Sequence, residues 1–437
     1  MLLKRVFLLL LVLTILCLGT GCTKLDSNIY NLLAPPRAAG DMSDIQAALN
    51  KSITEKYSFK FPTSGEHRSA IILNDLDGDG TEEAVAIYST TVENTTNMNI
   101  NLIAKNGEVW YSAGNIKVVA TGIEKIEFAD LGGDSKKEII VGWNVYESVD
   151  KSVGVYSVTE KGLVGRIFEN YTNYLCQDFN ADGKNELLTI YKNNDTEQPL
   201  ATAKLLALND QGAEEISRCP LDPATTSYKE PVVFNVGNKT AIYIDATKGT
   251  DLITEMLILD GGTLSNLSFS SEAEPGFSTL RPSGTYINDI NGDGNFDIPV
   301  PFLLTQSENS GTENIYKTNW YCYDGAGITL SLSTIMNYAD GYFLVIPEKW
   351  DAGISVVANA AERTRTVFRV DPISGGSAEE ILKIQTLEKG ATLNSTFAGS
   401  FKLAETSEAV YYAALGSYKG GLAITQEELI NLFKLIN

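Results

Sequence analysis

Three short stretches carry side chains that could do chemistry: DLDGDGTEE (75–83), DFNADGKNE (178–186) and DINGDGNFD (289–297). Each places a side-chain oxygen at loop positions 1, 3 and 5, glycine at 6 and a carboxylate at 9. Calcium takes six to eight hard oxygen ligands in a flexible cage. Alternate residues of a tight loop point inward, so a spacing of two converges three side chains on one ion. Glycine permits the sharp bend, and the carbonyl at position 7 can add a ligand. The first site would use Asp75, Asp77, Asp79, the Thr81 carbonyl and Glu83. The second would use Asp178, Asn180, Asp182, the Lys184 carbonyl and Glu186. The third would use Asp289, Asn291, Asp293, the Asn295 carbonyl and Asp297. About three bound calcium ions are therefore expected; acidic turns without metal are the alternative. A fourth copy at Asp130 has Gly132 in place of a ligand and Ser135 in place of glycine, and is expected to bind poorly.

The elements around the loops decide what kind of site this is. An EF-hand needs a glutamate at position 12. Here that position is Ala86, Thr189 or Val300, inside an apolar strand, so each loop joins two strands. The strand–acidic loop–apolar strand unit recurs with its first loop position at Asp75, Asp130, Asp178, Asn235, Asp289 and, more weakly, near Val345 and Ser400. Each interval has room for two further strands. Seven units of four strands predict an all-β fold, a seven-bladed β-propeller. Second strands such as AVAIY and IIVGW are apolar on both faces, as strands sandwiched between neighbouring blades should be. Two stacked β-sandwiches are the alternative. Pro299 and Pro301 fall in a strand that should be paired, and each removes a ladder donor.

The strand–DxDxDG–strand form resembles the FG-GAP and VCBS repeats of integrin α-subunit-like propellers. The resemblance spans roughly residues 68–415 and is carried by the three loops. It implies that the loop ions are structural and stiffen each blade. The departures at Asp130, Asn235, Val345 and Ser400 imply blades without an ion.

Helices are expected at both ends of residues 41–437. Ser43 and Gln46 form a capping box before Ile45, Leu49 and Ile53, and Thr425 and Glu428 form one before Leu429, Leu432, Phe433 and Ile436. The segment YSFKFP (57–62) is a candidate outer strand for the last blade.

The N-terminus has Lys4 and Arg5, an apolar run from Val6 to Leu18, then Gly19, Thr20, Gly21 and Cys22. That is the layout of a secretory signal, and the run is short for a membrane span. The small residues before Cys22 resemble a bacterial lipoprotein signal. Residues 1–21 then form the signal, Cys22 takes the lipid, and residues 22–40 are a spacer. The expected location is the extracytoplasmic face of the cell membrane. Lys4 and Arg5 are the only charges in residues 1–21, so 32 basic and 55 acidic groups remain beyond them, a net charge of −23. This sign argues against nucleic acid as a partner. Cys176, Cys219 and Cys322 fit no zinc spacing and are expected to be buried apolar groups, with a Cys176–Cys219 disulfide as the alternative.

His67 is the only histidine, and no nucleophile motif is present. The reading that follows is a membrane-anchored binding or scaffold module for a protein or an envelope glycan. The alternative is an extracytoplasmic carbohydrate-active enzyme that uses a carboxylate pair. Trp110, Tyr146, Trp320, Tyr321, Tyr323 and Trp350 are expected to pack between blades, with sugar stacking as the competing role.

Overall fold

A computed structural model describes residues 41–436, except 93–94, 146–150, 194, 196, 272–275, 305–313, 352, 372–376, 394–396 and 398. Cys22, the signal segment, the spacer and Tyr146 lie outside the described residues. Among those described, the chain is all-β with two short helices, α1 (Asp41–Ser52) and α2 (Gln426–Leu432). No helix among them is long and apolar enough to cross a membrane.

The strands form six antiparallel sheets that follow one another along the chain. In the second sheet, Ala120–Ala129, Glu138–Val145, Lys151–Thr159 and Gly162–Tyr171 pair in sequence order. The third repeats the plan with Asn173–Gln177, Glu186–Lys192, Ala201–Asn209 and Gly212–Pro220. The first (residues 57–118) and fourth (227–282) keep the four-strand plan and add short strands at its margin.

The core is divided among the gaps between consecutive sheets. Val85, Ile87 and Ile100 of the first sheet meet Ile126, Val141 and Trp143 of the second. Ile140 and Val155 face Leu187 and Leu206 of the third. Leu188 and Ile190 face Ile242 and Leu257 of the fourth. Tyr243 and Ile258 face Ile298 and Tyr323 of the fifth, and Ile335 and Leu344 face Val367 and Leu382 of the sixth. The second strand of a unit therefore buries both faces, which is why AVAIY and IIVGW do not alternate. Among the described residues no such cluster joins the sixth sheet to the first. The outer face of the first sheet is covered by α1, whose Ile45 and Leu49 are buried on Ala84, Ala86 and Ile103. The first two sheets also touch at their outer strands. A Cβ on Gly114 would lie 2.7 Å from the Leu163 amide nitrogen, so only glycine fits there.

Several expectations are corrected. Units six and seven do not form separate sheets. Tyr342–Val345 pairs back onto Ile328–Asn337 of the fifth sheet, and Phe401–Glu405 with Ala409–Leu415 extends the sixth. The reason is local: Pro347 and a 3-10 turn (Glu348–Trp350) separate Tyr342–Val345 from the strand that follows. The terminal helix ends at Leu432. Phe433 turns extended, and Phe433–Leu435 pairs with Tyr342–Leu344, its ring stacked 5.0 Å from Tyr342. The Thr425–Glu428 capping box is present. At the other end, α1 already begins at Asp41, so Ser43 lies inside it. Tyr57–Phe59 pairs with Glu83–Val92 of the first sheet instead of closing the last.

Trp110, Trp320, Tyr323 and Trp350 are buried packing groups. His67 sits edge-on to Phe128 at 5.1 Å. The three described cysteines are free thiols.

Candidate metal centres

Each acidic loop hangs between the first and second strands of its unit, and one hydrogen-bond scheme shapes four of them. The position 1 aspartate accepts backbone N–H groups from inside its own loop. Asp75 takes Gly78 and Gly80 at 2.8 and 3.1 Å, and Asp289 takes Gly292 and Gly294 at 2.7 and 2.9 Å. Asp178 takes Asp182 and Gly183 at 3.2 and 2.9 Å. Positions 4 and 6 adopt the left-handed conformation that favours glycine. Gly80, Gly183 and Gly294 have φ of 88°, 89° and 90°, while Ala181 and Ser135 hold φ of 60° and 67° without being glycine. The position 5 carboxylate caps the position 7 amide: Asp79 accepts from Thr81 at 2.7 Å, Asp182 from Lys184 at 2.9 Å and Asp293 from Asn295 at 2.8 Å.

The position 9 carboxylate is the buried member. Glu83, Glu186 and Asp297 accept the position 2 amide of Leu76, Phe179 and Ile290 at 3.0, 2.9 and 3.2 Å. That bond ties the second strand to the start of the loop. Burial pushes the Glu83 carboxyl above its ordinary value; the Leu76 N–H opposes this, and Asp77, Asp79 and Asp75 add to it. Glu186 is raised in the same way by burial, then by Asp182 and Asp178. Asp297 is raised to about 6, first by burial.

The structure brings together three carboxylates from each of two predicted ligand sets and leaves Asp79 outside the first group. Carboxylate oxygens of Asp75, Asp77 and Glu83 lie within 4.8 Å of one another, as do those of Asp178, Asp182 and Glu186. In the second set the Asn180 amide nitrogen lies between Asp182 (3.1 Å) and Glu186 (3.0 Å). Asp289, Asp293 and Asp297 form no such group among the described residues. The side chain at position 9 is one methylene shorter there: one Asp297 oxygen reaches the Ile290 N–H, and the other is engaged by the Ser331 hydroxyl. Asn291 donates to Asp293 at 2.8 Å.

The donor chemistry fits a hard divalent cation in the first two loops. Several hard oxygens crowd there, and among the described residues none of these carboxylates is in an ion pair; their mutual repulsion is what an ion would relieve.

Consecutive loops are also joined to one another, which the sequence did not disclose. The Lys137 N–H donates to Leu76 O at 2.8 Å, and the Asn185 N–H to Asp130 O at 2.9 Å. The Thr240 hydroxyl donates to Phe179 O at 2.5 Å. The loops of the first four units thus form a continuous line along one edge of the sheets.

No family model matches the chain, and no curated protein matches it. Among solved structures it is similar to an exotype rhamnogalacturonan lyase, YesX, at 11% identity and a TM-score of 0.31, covering 75% of this chain and 74% of that one. It is similar to a protein from Lactobacillus plantarum at 10% identity and a TM-score of 0.28, covering 72% and 84%. A third similarity is to an exo-beta-1,3-galactanase from Phanerochaete chrysosporium, at 11% identity and a TM-score of 0.23, covering 77% and 80%.

Proposed function

We propose that this chain is a lipid-anchored, extracytoplasmic binding or scaffold module of propeller type, with calcium-braced loops. It would be held to the membrane through Cys22 and present its sheets to a protein or envelope glycan. The convergence of Asp75, Asp77 and Glu83, repeated by Asp178, Asp182 and Glu186, carries the calcium part of the reading. The succession of sheets packed face to face in chain order supports the propeller part. Calcium would be held by these carboxylates, with Asp79 and the Thr81 and Lys184 carbonyls as further oxygen donors, and with Asn180 once its amide turns its oxygen toward Asp182 and Glu186. The third loop, from Asp289 to Asp297, is the weaker candidate.

The role is structural. Neutralising the buried position 9 carboxylate removes repulsion at the point where the loop is tied to the second strand. Because successive loops are hydrogen-bonded, that stiffening reaches the neighbouring sheet. The test is calorimetric titration of the mature chain with calcium, with melting curves in calcium and in EGTA. Binding with a rise in melting temperature is the expected result; no heat and no EGTA effect would overturn the calcium reading. Cys22→Ala should remove detergent partitioning in membrane fractions; a variant that is processed and partitions like the wild type would overturn the anchor.

A further inference from the structure

The fifth unit departs from the others at its first strand. In the first four units that strand pairs with the second over several residues. In the fifth, Asn288 and Asp297 exchange one pair of backbone hydrogen bonds, at 3.1 and 2.8 Å, and the ladder stops. The next two pairs would need N–H donors at positions 299 and 301, opposite Tyr286 and Gly284. Both are proline, which has no donor. The freed segment is held from the other side. The Ile287 N–H donates to Asp245 at 3.0 Å, and Arg281 Nε donates to Thr285 O at 2.7 Å. Asp245 and Arg281 form a fully buried ion pair.

Peeling this segment from its sheet opens a cavity of about 660 Å3 between the segment and the fifth sheet. Trp320 and Met336 line its inner part, and the half-exposed rings of Tyr286 and Tyr338 also line it. Asn291 and Lys434 add polar groups to the lining. A second cavity, of about 260 Å3, shares Met336 and Tyr338 with the first.

We infer that this cleft binds an oligosaccharide. The proposal rests on the binding-module reading above and assigns that module its ligand class and its site. A peptide adding a strand needs a free ladder edge. Here Pro299 and Pro301 leave the edge of the fifth sheet that faces the cleft without two successive N–H donors, which disfavours strand addition there. Recognition at that edge is left to side chains. Tyrosine rings offer apolar faces to the C–H face of a sugar, while amide and ammonium groups serve hydroxyls, which both donate and accept. The volume lies in the range of small-molecule sites.

The test is a glycan array of neutral, N-acetylated and uronate-containing oligosaccharides, read with the mature chain in calcium. Titration of the retained glycan against Tyr286→Ala, Tyr338→Ala and Phe168→Ala follows; Phe168 is an exposed ring on the second sheet. The expected result is a bound glycan whose affinity falls about tenfold or more in each tyrosine variant and is unchanged in Phe168→Ala, with all melting temperatures preserved. No retained glycan, or equal affinity across the variants, overturns the proposal. A photocrosslinker at position 338 that captures a protein segment in place of the glycan overturns the saccharide assignment and leaves the binding-module reading standing. Loss of glycan binding in Phe168→Ala alone overturns the cleft as the site and leaves the binding-module reading standing.

Discussion

The loop at 75–83 and the loop at 130–138 have the same backbone plan but different donor sets. Asp130 accepts from Gly133 and Ser135 at 2.6 and 2.8 Å, as Asp75 accepts from Gly78 and Gly80. Glu138 accepts from Leu131 at 3.0 Å, as Glu83 does from Leu76. Only the first loop has a carboxylate at position 3; the second has Gly132. The second also gives one oxygen of its buried glutamate to the Ser157 hydroxyl, at 3.0 Å. The position 1 aspartate and the left-handed positions therefore give both loops the same shape. What the first loop adds is crowded negative charge, the condition a cation would correct.

Five substitutions can break or sharpen that contrast. The largest effect is expected for Asp75→Ala. At a calcium concentration about a hundred times Kd, losing the ion removes about 2.7 kcal/mol. Two backbone N–H groups also lose their acceptor, for about 1–3 kcal/mol more. Melting curves should show the whole loss in calcium and only the second part in EGTA; an identical loss in both would mean that the loop binds no calcium. Asp130→Ala comes next. Its geometry removes it from the class of neutral surface changes, and the expected cost of about 1–3 kcal/mol should be the same with and without calcium. A calcium-dependent cost there would give the second loop an ion.

A smaller gain is expected for Ala181→Gly and Ser135→Gly, about 0.5–1 kcal/mol each in urea melts, because both residues hold a left-handed backbone. A loss of stability would show that the strain is relieved elsewhere. The smallest effect is the pH dependence of Glu138→Gln. Burial raises the Glu138 carboxyl, with the Leu131 N–H and Ser157 opposing it. A raised carboxyl gives stability that is fully present below its unfolded value, about 4.3, and is lost as pH rises through the folded value. The glutamine variant should therefore gain on wild type between pH 4 and pH 7. A gap that stays constant over that range would refute the burial argument.

Local patterns were legible in the sequence, and pairing choices were not. The loops, the doubly apolar second strands and the faces of α1 follow from residue type and spacing, because burial acts on each residue where it stands. Which edge Tyr342–Val345 joins, and where Phe433–Leu435 docks, depends on competing tertiary edges that no spacing encodes. The same holds for Tyr57–Phe59. Pro299 and Pro301 were visible as broken ladder donors, yet their consequence needed the register of Asn288 against Asp297. In the third loop, aspartate at position 9 fits the motif as written, but its reach falls short of the ligand cluster.

The division of the core into separate layers bears on how the protein comes apart. A single shared core melts as one unit, whereas layers coupled only to their neighbours behave as a one-dimensional array. An inner sheet is locked by two interfaces. The sixth shares a hydrophobic core cluster with the fifth alone, among the described residues, and the first relies on the small helix carrying Ile45 and Leu49 as its end plate. Fraying should therefore start at the ends. Amide exchange should be slowest around Leu188 and Ile242, in the middle of the array, and fastest on the outward side of the sixth sheet.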